Sequence, residues 1–211
     1  MKKMRIVKKE KTQKVNETPM RIPNEKKCLE LLRKYNVPEH IIAHSILVAK
    51  VADFIAEKLN DKGEDKGISV NAGIVHAAAL LHDIDKIITL NKGTHSIEGF
   101  KILKTEGYEE VGKIVLKHVL RESEDICPTT WEEKIVFYAD ERVKHNKITS
   151  VEERFDDIMK RYNNYRENII LTHKFTKKIE KEIFNIIQMK PGDVGQHIRA
   201  DAENRTTKLV V

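Results

Sequence analysis

A chain of 211 residues, 34% charged and only 6% aromatic, is long enough for one folded domain and too short for two comfortable ones. Scarce glycine (9) and proline (5) argue against a turn-rich all-β sandwich. The net charge of +6 is concentrated: residues 1–18 hold seven Lys/Arg against Glu10 and Glu17, so the remainder is nearly neutral and global charge does not make it a nucleic-acid-binding domain.

Cys28 and Cys127 stand in no metal or redox spacing, which fits a reducing cytoplasm. The basic N-terminus lacks the apolar core of a signal peptide. No run of about 18 apolar residues suggests a membrane span. Residues 1–22 show no hydrophobic period and read as a disordered basic tail. That tail is a weak candidate for contact with nucleic acid.

Asn24 is the expected N-cap of a helix over 25–35, with Cys28, Leu31 and Leu32 inward. Val37-Pro38 breaks it and opens a long helix over 39–60. The stripe Ile41, His44, Val48, Val51, Ile55, Leu59 keeps one face, which puts His44 on the apolar side. A polar loop with two glycines follows. The stretch AGIVHAAALLHDIDK from Ala72 predicts a buried helix over 70–83, because it is too apolar for a free surface. It delivers His82 and Asp83 side by side, with Lys86 just beyond. Burying these groups unpaired costs several kcal/mol, so a cation or a set of partner charges is required.

After a turn at Asn91-Lys92-Gly93, helices are expected over 95–105, with His95 in the first turn, and over 109–120, with His118 on the face of Val111 and Ile114. Gly107 separates them. Thr130-Trp131-Glu132-Glu133 and Ser150-Val151-Glu152-Glu153 are capping boxes. The first opens a helix carrying Asp140 on the face of Val136. The second opens one with Phe155, Ile158, Met159 and Tyr162 inward. A last helix is expected over 172–188, ended by Pro191-Gly192. The fold class is all-α, a single-domain helical bundle over 23–190, with no convincing strand and a flexible tail over 191–211.

A lone histidine on an apolar face is usually a satisfied core residue. Here four inward histidines and two carboxylates recur on different helices: His44, His82, Asp83, His95, His118 and Asp140. His40, His76, His145, His173 and His197 read as structural or solvated. Imidazole and carboxylate donors without cysteine suit Mn, Fe, Co, Ni, Zn or Mg. Six such donors exceed the needs of one tetrahedral ion and suffice for two bridged ions.

The order His44, His82-Asp83 with Lys86, His95, His118 and Asp140 resembles the HD-domain (HDIG-type) metal-dependent phosphohydrolase superfamily. AALLHDIDK is similar to its signature of an apolar helix ending in HD-I-G-K. PEHIIAHSILVAKVA looks like its first-histidine helix, and FYADERV like its last-aspartate helix. The resemblance covers about 36–145, and the two extra histidines look like its two-metal branch. It implies that His44, His82, Asp83 and Asp140 hold a first divalent ion, that Asp83 bridges to a second, and that His95 and His118 complete it. It also implies that Asp83 and Lys86 carry the catalysis, Lys86 beside the transferred phosphoryl, with Arg121 and Arg142 as further phosphate clamps. The expected substrate is a nucleotide phosphate ester or phosphoanhydride cleaved by a metal-activated water.

Asp85 stands where the signature has glycine. A carboxylate there either repels phosphate or points to solvent. The GYP-type substrate motif is missing, which argues against a cyclic dinucleotide. Two alternatives stand beside the hydrolase: a non-hydrolytic nucleotide-sensing or RNA-associated regulator, and a metal-stabilised helical scaffold.

Overall fold

The computed structural model describes residues 20–90, 92, 94–120 and 127–200. The basic lead-in over 1–19, Asn91 and Gly93 of the expected turn, Arg121 and residues 201–211 lie outside the described residues.

The described chain is all-α apart from one small hairpin. Its helices are α1 (Glu25–Lys34), α2 (Glu39–Gly63), α3 (Ala72–Leu81), α4 (Ile97–Thr105), α5 (Glu109–Leu116), α6 (Trp131–Glu141), α7 (Val151–Arg161) and α8 (Arg166–Ile187). Asn24 caps α1 by accepting the Lys27 amide at 2.9 Å, and Asn71 caps α3 by accepting the Ile74 amide at 3.2 Å. Both capping boxes form as the sequence predicts, opening α6 at Thr130 and α7 at Ser150.

Helix α3 is the hub and packs against α1, α2, α5 and α6. That explains why it is apolar on every face: Val75 and Ala77 through Leu81 are buried. Its alanines let the neighbouring helices approach closely, and Leu80 and Leu81 each gain about 1.5–3 kcal/mol from burial.

Several boundaries differ from the sequence expectation. Helix α3 stops at Leu81, and i to i+3 bonds follow, from the Ile84 amide to the Leu81 carbonyl and from the Lys86 amide to the Asp83 carbonyl. His82, Asp83 and Lys86 therefore lie in turns rather than in continued helix. Helix α5 ends at Leu116, so His118 also follows a helix end. Helix α8 starts at Arg166, six residues early, because Ile169 already packs inward. Residues 194–200 are helical rather than frayed, and Val194 is fully buried, so the folded part passes residue 190.

The missed strands are β1 (Val143–Lys144) and β2 (Lys147–Ile148), with Val143 opposite Ile148 and Lys144 opposite Lys147. Their two-residue loop puts His145 at φ 56, in the left-handed region that such loops require. No helix among the described residues is long and apolar enough to cross a membrane.

Candidate metal centre

Each of the four inward histidines has one ring nitrogen fixed from behind. His82 Nδ1 donates to the Ala79 carbonyl at 2.8 Å, and His118 Nδ1 to the Val115 carbonyl at 2.6 Å. Both rings follow a helix end, and each takes the carbonyl three residues back. His44 Nδ1 donates to the His145 carbonyl at 3.0 Å, which the hairpin loop holds in place. His95 Nδ1 donates to Asp85 Oδ1 at 2.7 Å. A carbonyl can only accept, so Nδ1 carries the proton and Nε2 is left with its lone pair.

The Nε2 atoms converge with Asp83 and Asp140. His44 Nε2 is 2.9 Å from Asp140 Oδ1, and His82 Nε2 is 3.6 Å from both Asp140 Oδ1 and Asp83 Oδ2. On the other side, His95 Nε2 is 3.1 Å from Asp83 Oδ1 and 3.1 Å from His118 Nε2. Asp83 thus turns one oxygen toward each group. His44, His82 and Asp83 form one cluster able to hold an ion, and Asp83, His95 and His118 form another. Donors about 2.1 Å from a common ion stand roughly 3.0–3.4 Å apart, and the separations here run from 2.9 to 4.0 Å, so an ion would draw some of them slightly together. His82 Nε2 is buried and makes no hydrogen bond. An orphaned lone pair facing two carboxylates fits a cation.

The electrostatics agree. Burial opposes ionisation of Asp83, but His82, His95 and Lys86 hold its carboxyl well below the usual range. Asp140 is half-buried, and His82 and His44 hold its carboxyl below the usual range. Burial, then the neighbouring His95 and His82, push His118 down to about 3. Burial likewise lowers His82, so both rings stay neutral and ready to bind metal. His44 and His95 are shifted up despite burial, by Asp140 and by Asp83 with Asp85 respectively. Lys86 Nζ lies 3.1 Å from Asp83 Oδ1, on a side chain 45% exposed.

Asp85 does not point to solvent. It is fully buried, gripping His95 with one oxygen and the Gly99 amide, at 2.8 Å, with the other. The approach at Gly99 is close: a Cβ there would stand 3.1 Å from Val115 Cγ1 and 3.4 Å from Asp85 Cγ, so the Val115 side chain would have to give slightly. Beside it Ser96 sits at φ 70, with its hydroxyl bonded to the Leu116 carbonyl at 3.1 Å. That contact ties the start of α4 to the end of α5 and brings His95 to His118.

Arg142 is not a phosphate clamp. It is 2% exposed and donates to the Thr149 carbonyl at 2.6 Å, the Tyr138 hydroxyl at 2.6 Å and the Pro191 carbonyl at 3.1 Å. Arg142→Leu is expected to cost about 3 kcal/mol by stranding these acceptors. The urea midpoint should drop while bound metal per folded molecule holds. Loss of metal at unchanged stability would return Arg142 to the site. Arg121 lies outside the described residues.

The cations that do line the centre were missed. A cleft of about 390 Å³ opens beside His44, Asp83, Lys86 and Asp140, and Arg154 and Arg161 of α7 line it. Their seven-residue spacing, which keeps one helix face, was the available signal. His40 also lines this cleft. Of the other histidines read as structural, His76 bonds Asp53 Oδ2 at 2.8 Å, His173 stacks on Phe155 and His197 on Phe54.

Residues 41–144 match the family model described as the HD domain. The chain is 32% identical over 173 residues to a tRNA (cytidine(56)-2'-O)-methyltransferase of Thermoplasma volcanium, covering 75% of this chain and 48% of that protein. It is 31% identical over 193 residues to the protein of that name from Picrophilus torridus, covering 82% and 52%. It is 28% identical over 170 residues to Ribonuclease Y of Mesoplasma florum, covering 80% and 29%. The chain therefore spans about half the length of the two methyltransferases or less of the nuclease. No solved structure gives a significant match. With the His/His-Asp/His/His/Asp order, the converging donors and the family match in agreement, the chain carries an HD domain over residues 41–144 and belongs to the HD-domain superfamily.

Proposed function

We propose that this chain hydrolyses a phosphate ester or phosphoanhydride of a nucleotide or RNA strand, using one or two divalent ions. The observation that carries this reading is the division of Asp83, whose two carboxylate oxygens serve two separate donor clusters. His44, His82, Asp83 and Asp140 would hold one ion, and Asp83, His95 and His118 the other. A divalent ion bound there activates water and neutralises charge on a phosphoryl group.

The chain's own groups complete the site. Lys86 stands at the cleft mouth, half-exposed, where its ammonium can meet the charge that develops on a phosphoryl oxygen. Arg154 and Arg161 replace Arg142 as the phosphate-orienting cations. The test is elemental analysis of purified protein combined with a hydrolysis panel of mononucleotides, dinucleoside polyphosphates, cyclic nucleotides and short RNA, read by chromatography of the products. Metal-dependent turnover of one class is expected. No turnover of any class by metal-loaded protein would overturn the reading.

A second reading, a non-hydrolytic RNA-associated HD domain, is favoured by the relatives named as tRNA methyltransferases, since methyl transfer is not hydrolysis. Saturable RNA or nucleotide binding by metal-loaded protein without hydrolysis would select it.

A further inference from the structure

We propose that residues 160–166, at the rim of the metal-centre cleft, form a platform for a single-stranded polynucleotide. The proposal deepens the reading of this site above by naming its substrate class. The segment reads Lys160, Arg161, Tyr162, Asn163, Asn164, Tyr165, Arg166, and every one of these residues is exposed. It contains three cations and no carboxylate. Tyr162 is 51% and Tyr165 65% exposed, large rings left in water.

The segment is joined to the centre by geometry. Arg161 ends α7, lines the cleft that holds Asp83 and Lys86, and lies over the Tyr162 ring at 5.3 Å from its centroid. Its Nη2 is held by Asp157 Oδ2 at 2.6 Å, and Asp157 is also paired with Lys144 at 2.7 Å, so the guanidinium is fixed in orientation. The Tyr165 amide bonds the Tyr162 carbonyl at 2.9 Å, closing one turn that keeps the two aromatic residues together.

Bases offer flat faces and the backbone offers regularly spaced phosphates. Two rings flanked on both sides by cations match that pattern, and a duplex, whose bases are already stacked, does not present it. Tyr162 and Tyr165 stack on bases. Arg161 and Arg154 hold the phosphates that lead the strand toward the metal-binding donors.

The experiment uses the full chain and fluorescence-labelled 12-nucleotide oligo(U), oligo(dT) and a 12-base-pair duplex, read by anisotropy. Either single strand is expected to bind more tightly than the duplex, and comparison of the two shows whether the ribose hydroxyl contributes. The double substitution Tyr162→Ala with Tyr165→Ala should weaken single-strand binding by roughly 30-fold or more. Tyr162→Phe with Tyr165→Phe should hold it within about twofold, since stacking needs the ring and not the hydroxyl. Arg161→Ala should weaken binding and lower the salt dependence by about one phosphate contact.

Duplex binding as tight as single-strand binding, or an unchanged affinity in the double alanine variant, overturns the platform. Wild-type turnover of bis(p-nitrophenyl) phosphate is measured in parallel. Turnover without strand binding sinks the platform alone. Strand binding with no turnover of this diester or of any class in the panel above upholds the platform and sinks the hydrolase reading.

Discussion

On the proposed two-ion hydrolase reading, Asp83→Ala is expected to strip the protein of its divalent ions and to lower hydrolysis by roughly a thousandfold or more, the several kcal/mol that a metal centre supplies. Among the described residues, no other side chain belongs to both clusters. Its Oδ2 faces His82, and its Oδ1 faces His95, Lys86 and His118, at 3.6, 3.1, 3.1 and 4.0 Å. Alanine leaves His44, His82 and Asp140 on one side and His95 with His118 on the other. The fold should survive, because the aspartate sits past the end of α3 and the apolar core of that helix does not depend on it. Lys86, half-exposed, can turn to water. Metal analysis and a circular-dichroism melt on the same sample test both halves. Wild-type metal content with full turnover in Asp83→Ala would end the case for a centre at this position.

Asp85→Asn is expected to empty one cluster and spare the other. The carboxylate accepts from His95 Nδ1 and from the Gly99 amide in a fully buried position. An amide has one acceptor oxygen, so its NH₂ group must face one of these two donors. The ring of His95 loses either its anchor or the negative charge that raises its basicity. Loss of such a partner typically lowers metal affinity about 10–100-fold. The stranded donor costs about 1–3 kcal/mol of stability. An equilibrium metal titration should change from two binding steps to one, since His44, His82, Asp83 and Asp140 keep their own supports. Asp85→Gly, which restores the residue of the family signature, should lose the same step. Two ions bound with wild-type affinity in Asp85→Asn would show that Asp85 does not position His95.

Much of this architecture was legible because it is local. A capping box is complete within four residues, so Thr130 to Glu133 and Ser150 to Glu153 announce the starts of α6 and α7 without reference to the rest of the chain. The helical period that put His44 among Val48, Val51 and Ile55 needs only the residues of α2. Boundaries were less legible where tertiary packing overrode a weak local pattern. Ile169 extends α8 backward through a polar stretch, and Val194 extends the folded part past Pro191.

The roles of individual polar side chains were the least legible. Arg142 and Arg154 are both arginines close to Asp140 in sequence. One is consumed by Tyr138, Thr149 and Pro191, and the other lines the cleft. Asp85 depends on Gly99, fourteen residues away, for its direction.

Residue order and helical period alone determined that the described chain is all-α and marked His44, His82, Asp83, His95, His118 and Asp140 as candidate inward groups, although His82, Asp83, His95 and His118 lie just outside helix ends. Only the tertiary structure decided that each imidazole is held by Nδ1 so that Nε2 faces the centre, and that Asp83 divides its oxygens between two groups. The reason is physical. Burial follows from the periodicity of one helix, whereas the direction of a lone pair depends on which acceptor another segment of the chain places behind the ring.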